Sequence, residues 1–133
     1  MLAGTTRAGR SPPGLQIAAL VLGFLGYAFM AWATLANRFF SSAVRLQSDR
    51  AQVVVASGPY RFVRHPGYLG AVPYLAFGGL ALGSWLATVI AGLPMIVILL
   101  RRTALEDKML LEGLAGYKEY AARVKYRLAP GIW

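Results

Sequence analysis

Charge vanishes from this chain over two long stretches and returns abruptly at their ends. Residues 15–36 (LQIAALVLGFLGYAFMAWATLA) carry no charged side chain. As a helix rising 1.5 Å per residue they span roughly 33 Å, enough to cross a bilayer's hydrocarbon core with some tilt. Residues 67–100 are also uncharged, but that run is too long for one helix. Gly78-Gly79 and Gly83-Ser84 are the natural breaks, and Ser84 suits a helix N-cap. The pattern predicts two helices, about 68–82 and 85–101, joined by a very tight turn. Pro73 and Pro94 fall inside them, where neighbouring helices must satisfy the freed carbonyls. Gly79-x-x-x-Gly83 reads first as the hairpin turn and second as a dimer face.

The polar stretches are organised differently. Residues 37–55 mix Arg38, Arg45, Arg50 and Asp49 with Phe39, Phe40, Val44 and Leu46, which predicts a short helix lying in the membrane interface. Val53-Val54-Val55 is β-branched and suits a strand-like connection. Beyond Arg101, Leu110, Leu114, Tyr117, Ala121 and Val124 recur at three- and four-residue steps, predicting a helix that leaves the membrane and is divided near Gly113 and Gly116. Residues 128–133 are apolar and are expected to fold back onto the interface, and residues 1–14 to be disordered or frayed. The whole is an all-α integral membrane protein, one domain over 1–133, with about three transmembrane helices.

Composition sharpens this picture. Apolar residues make up 57% of the 133, charged residues only 14%, and cysteine is absent. Disulfides, thiolate nucleophiles and cysteine-ligated metals are excluded, and a single histidine argues against any protein-built metal site. The net charge of +9 sits in arginines and lysines flanking the apolar runs, which fits membrane flanks and not a nucleic-acid groove. Residues 37–66 and 101–127 hold most of that charge, and a hairpin returns both to one side. The charge rule then places them in the cytoplasm and the N-terminus outside. A cleaved signal peptide is the poorer reading of the first run, which is longer than a usual h-region and is followed directly by Arg38.

Residues 57–70 (SGPYRFVRHPGYLG) are unlike an ordinary connecting loop. Pro59 and Pro66 disfavour helix at Gly58 and His65, so Tyr60, Arg61, Arg64, His65 and Tyr68 are presented on a stiff bend. When the hairpin closes, Arg64, His65 and Tyr68 at its entrance should meet Arg102, Glu106 and Asp107 at its exit. Each arginine taken alone also suits a topology anchor, and His65 alone suits a hydrogen-bonded loop residue. Two adjacent acids beside a bilayer are harder to explain that way, because they do little for topology and their placement has a cost. The tyrosines at 60, 68, 117 and 120 could cover a cation with their ring faces.

Gly58-Pro59-Tyr60 with Arg64-His65-Pro66-Gly67-Tyr68-Leu69-Gly70 resembles the RHPxYxG motif of the isoprenylcysteine carboxyl methyltransferases and their phospholipid N-methyltransferase relatives. Residues 102–110 (RTALEDKML) resemble the R…EExxL element that comes after the hairpin there. Tyr117-Lys118-Glu119-Tyr120, Arg123-Val124 and Leu128-Ala129-Pro130 resemble the family's closing pattern. Together these cover residues 53–133, the expected cofactor-binding core. Asp107 stands where the family usually has Glu, and only one spanning helix precedes the motif.

The resemblance implies S-adenosylmethionine as methyl donor, with Tyr60, His65, Pro66, Tyr68, Gly70, Arg102, Glu106 and Asp107 as its site. It implies a lipophilic, membrane-embedded acceptor, of the isoprenylcysteine carboxylate type in first place or a lipid headgroup amine, with Arg64 or Arg123 to orient a carboxylate. The rival readings are an NADPH-dependent membrane reductase of the steroid and sterol reductase kind, and a non-catalytic membrane protein that keeps the pocket. The reductases tend to carry an acid just after the motif's last glycine, where Ala71 stands here.

Overall fold

The computed structural model describes residues 9–133. Among them are four helices and no strand: α1 (Pro13–Ala36), α2 (Pro66–Ala81), α3 (Trp85–Gly113) and α4 (Tyr117–Arg123). α2 packs against both α1 and α3. α1 and α3 are each long and apolar enough to cross a membrane. The expected middle span is shorter: the 16 residues of α2 reach about 24 Å, below the roughly 30 Å of a hydrocarbon core. Much of the outer face of α1 and α3 is apolar and uncovered, with Phe24 68% and Ile90 65% exposed, as suits helices whose solvent is lipid.

The hairpin turns where glycine and serine predicted it. Gly83 takes a positive φ of 82°, its N–H donates to Leu80 O, and Ser84 N donates to Gly79 O at 2.8 Å. The Ser84 hydroxyl then caps α3 by accepting from Ala87 N at 3.0 Å. A Cβ at Gly79 would collide with the Thr88 backbone, so this glycine serves the hairpin. α3 opens with a π turn over Thr88–Gly92, just before Pro94.

Three expectations need correction. Residues 9–12 are ordered where a frayed start was expected (residues 1–8 lie outside the described chain): Ser11 is buried, its N–H donates to Gly83 O and its hydroxyl to Leu80 O at 2.9 Å. The hairpin tip thus supplies partners that sequence alone could not reveal. Residues 37–57 form no interfacial helix, only a 3-10 turn at Ser48–Arg50, and Val53–Val55 form no strand. Side chains take over the backbone's bonding there: Gln47 is buried and donates to Phe39 O at 2.5 Å, while Arg50 reaches Gln47 Oε1 and Arg38 O, both at 2.7 Å. The third correction is that α3 does not end at 101; it runs unbroken through Arg101 to Gly113. The division expected at Gly113 and Gly116 is present, with Gly116 at φ 82° ahead of α4.

α1 and α2 touch backbone to backbone. A Cβ on Gly70 would lie 2.5 Å from Gly26 O and 2.6 Å from Met30 N, and one on Gly26 would lie 2.6 Å from Gly70 O. Gly70→Ala should therefore lower stability by about 1–3 kcal/mol through overpacking. Gly14→Ala, with nothing within 4 Å of its Cβ, should not. Thermal unfolding in detergent micelles compares the two.

Candidate functional site

Asp107 is fully buried on α3, on the same stripe as buried Thr103 and Leu110. A carboxylate there requires donors, and the structure supplies four residues' worth. Arg64 grips it in bidentate fashion, Nε to Oδ1 and Nη2 to Oδ2, both at 2.8 Å. Arg127 Nε donates to Oδ2 at 2.9 Å, and the Tyr117 hydroxyl to Oδ1 at 2.9 Å. His65 Nε2 lies 3.0 Å from Oδ1. An ionised carboxylate only accepts, so that nitrogen carries the proton.

The bend and the tail are held together by backbone as well. Arg64 N donates to Tyr126 O and His65 N to Arg127 O, each at 2.9 Å. Arg64 Nη1 donates to Val124 O and Lys125 O at 3.0 Å. Pro66 opens α2 directly after His65, which aims His65 at α3. The Gly116 turn launches α4 so that Tyr117 and Tyr120, three residues apart, both face inward; Tyr120 OH reaches Tyr60 O at 2.7 Å.

One residue earlier on α3 the environment changes. Glu106 is half-buried and accepts from Tyr68 OH at 2.5 Å, and Arg102 Nε donates to the same phenol oxygen at 2.8 Å. Arg102 Nη2 also bonds the carbonyls of Ser42 and Ser41. A small cavity of ≈ 50 Å³ lies in front, walled by Glu106, His65 and the rings of Phe40, Tyr60, Tyr68, Tyr117 and Tyr120, and covered by residues of the 37–55 segment. Burial pushes the Tyr60 phenol up to about 12. It also raises Tyr117, with the Asp107 carboxylate adding to the effect. These tyrosines stay neutral hydroxyls near pH 7.

The hairpin thus brings its two ends face to face, but the expected site residues divide into three groups. Tyr60, His65, Tyr68 and Glu106 line the cavity. Asp107, Arg102 and Pro66 stand behind it, and Gly70 is spent on the α1–α2 contact. The two arginines expected to orient a carboxylate stand apart from one another. Arg64 lines the cavity and gives its Nε, one hydrogen of Nη2 and both hydrogens of Nη1 to the protein, and Arg123 is exposed at the end of α4 and absent from the cavity wall. Arg127 was not expected at all. Its signal, an arginine beside the apolar tail, becomes meaningful only once the tail pairs with the bend.

A family model described as the isoprenylcysteine carboxyl methyltransferase family matches residues 17–112. The chain belongs to that family. The match takes in α1, the bend, α2 and nearly all of α3, starting well before the Gly58–Gly70 motif and stopping short of Tyr117–Pro130. No curated protein matches the chain. Membership makes the chain a family methyltransferase, and enzymes of this family use S-adenosylmethionine.

Within this family fold Asp107 acts as a joint between four segments. Asp107→Asn should cost about 3–5 kcal/mol, because it leaves two buried or half-buried guanidinium groups facing a neutral amide. Arg123→Ala should stay within about 0.5 kcal/mol. Thermal unfolding of both variants in the same detergent checks this.

Proposed function

We propose that this protein transfers a methyl group from S-adenosylmethionine to a lipophilic acceptor held in the membrane, with the site at the cytoplasmic face and the N-terminus outside. α2 then serves as the third crossing, extended at its ends by the bend and the hairpin turn. The carrying observation is the Glu106 carboxylate at a cavity wall rich in aromatic rings. The donor has an amino-acid end with an ammonium and a carboxylate, a sulfonium and an adenine, and these residues fit it: Glu106 suits the ammonium, the first turn of α2 at Gly67 and Tyr68 suits the carboxylate, the faces of Tyr60, Tyr68, Tyr117 and Tyr120 suit the sulfonium, and the rings can stack on the base. When bound, that group supplies an activated methyl carbon. The protein's part is placement, which accounts for much of the rate in such displacements. Asp107, Arg64 and Arg127 fix the His65 bend, and Arg102 fixes Tyr68.

The test is equilibrium binding of labelled S-adenosylmethionine. Glu106→Gln should weaken it by about 10–100-fold, the loss of one charge-assisted hydrogen bond, with little change in unfolding temperature. Normal binding by this variant would sink the assignment. NADPH binding without adenosylmethionine binding would favour the reductase reading instead.

At ≈ 50 Å³ the cavity is far below the roughly 300–1,000 Å³ of small-molecule pockets, so entry must displace its cover. The 37–57 segment is that cover. Phe40 lies on Gly67, Leu46 on Gly113, and Arg102 holds the Ser41 and Ser42 carbonyls. With no native cysteine, the pair Leu46→Cys and Gly113→Cys can tie this segment to α3. Oxidation should slow adenosylmethionine association at least about tenfold, and reduction should restore it; equal rates in both states would show that the cover does not move.

A further inference from the structure

We propose that Arg102 is a latch on the cover, a positioning residue through which a cation on Glu106 releases the 37–57 segment. This rests on the donor site proposed at Glu106 and adds how that site is opened. Arg102 and Glu106 stand one turn apart on α3, with the Tyr68 hydroxyl between them. That hydroxyl has one proton and gives it to Glu106 Oε2 at 2.5 Å, while its oxygen takes the Nε–H of Arg102 at 2.8 Å. Each bond has a charged group at its outer end, so each strengthens the other. The same guanidinium holds the cover: Nη2 donates to the Ser41 carbonyl at 3.4 Å and to the Ser42 carbonyl. Among the described residues, no other side chain from outside the segment hydrogen-bonds its backbone. Phe40 on Gly67 and Leu46 on Gly113 add apolar contacts, which do not respond to charge.

Arg102 is half-buried and lies over the Tyr68 ring, 5.7 Å from its centroid. The charge that keeps it there is the Glu106 carboxylate, reached through one hydroxyl, since Asp107 is already shared by Arg64 and Arg127. An ammonium on Glu106 neutralises that charge and brings a second cation within two hydrogen bonds of the guanidinium. Both effects weaken the Nε contact. A guanidinium freed from Tyr68 can turn to water and let go of the serine carbonyls. The closed cover leaves only ≈ 50 Å³, so a ligand enters molecules whose cover is open, and its apparent affinity follows that fraction. The coupling is reciprocal: the ligand loosens the latch, and a loosened latch favours the ligand.

Opening can be read without any ligand. Leu110 is buried and lines the cavity, and the chain has no native cysteine. The rate at which a water-soluble maleimide labels a Leu110→Cys background therefore reports the open fraction. Arg102→Ala should raise that rate at least about tenfold, and Glu106→Gln at least about threefold. Both together should label no faster than Arg102→Ala alone, because the second change acts through the first. A rate unmoved by either single change overturns the proposal. So do effects that multiply in the double variant, which is what two independent losses of packing would give. Should Leu110→Cys fail to fold, trypsin cleavage after Arg45, exposed in the cover, replaces it with the same outcomes. Arg102→Ala alone should also speed S-adenosylmethionine association at least about tenfold, and an unchanged rate would overturn the link between latch and donor. Absence of donor binding in every form of the protein would instead sink the methyltransferase function, and the ligand-free labelling rates would still decide the latch.

Discussion

A buried carboxylate with no lone pair left over governs this structure. Asp107 has no exposed surface, and removing such a charge from water costs several kcal/mol unless charge-assisted donors replace the solvent. Those donors come from three places, the bend before α2 (Arg64, His65), the start of α4 (Tyr117) and the tail (Arg127), and they meet on a carboxylate carried by α3. No one segment can be withdrawn without stranding the charge. The interaction need not add much net stability to do this, because its effect is to make wrong arrangements expensive. It fixes the end of the hairpin to the bend, and the bend forms the wall of the cavity.

The same constraint assigns roles to two acids that stand side by side in the sequence. Consecutive residues on a helix point about 100° apart. Asp107 therefore joins the Thr103–Leu110 stripe facing protein, while Glu106 joins Arg102 on the stripe facing Tyr68 and the cavity. One acid is consumed in holding the architecture and the other stays half-buried at the cavity wall. The shorter side chain of aspartate suits the inner position, where the donors crowd around it.

Much of this was legible beforehand, and the parts that were not have physical causes. Gly83-Ser84 announced the hairpin because glycine readily adopts the required φ and serine caps the next helix. The meeting of residues 64–68 with 102–107 came from chain geometry alone, since a hairpin must return its ends to one side. The helical phase that separates Glu106 from Asp107 was also present in the sequence, but treating the acids as a pair concealed it. Gly70 could not be read correctly, because a glycine that admits a ligand and one that admits a neighbouring helix look the same until the neighbour is known. Residues 37–57 were misjudged for a related reason: their bonds run from Gln47, Arg50 and Arg102 to distant carbonyls, and no periodicity records such partners.

The fate of the arginines bears on how the site works. A basic chain invites the view that guanidinium groups greet the substrate, yet here the ones nearest the cavity are tied into carboxylate and carbonyl contacts. The cavity lining sets the Glu106 carboxylate, the His65 ring and a group of aromatic rings beside Arg64, whose charge is paired with Asp107. Behind the wall a single carboxylate, Asp107, is shared by two guanidinium groups, Arg64 and Arg127, so the bend and tail keep a net positive charge beside Glu106 and the phenols. The arginines at hand serve the architecture first, holding Asp107, Tyr68 and the tail in place.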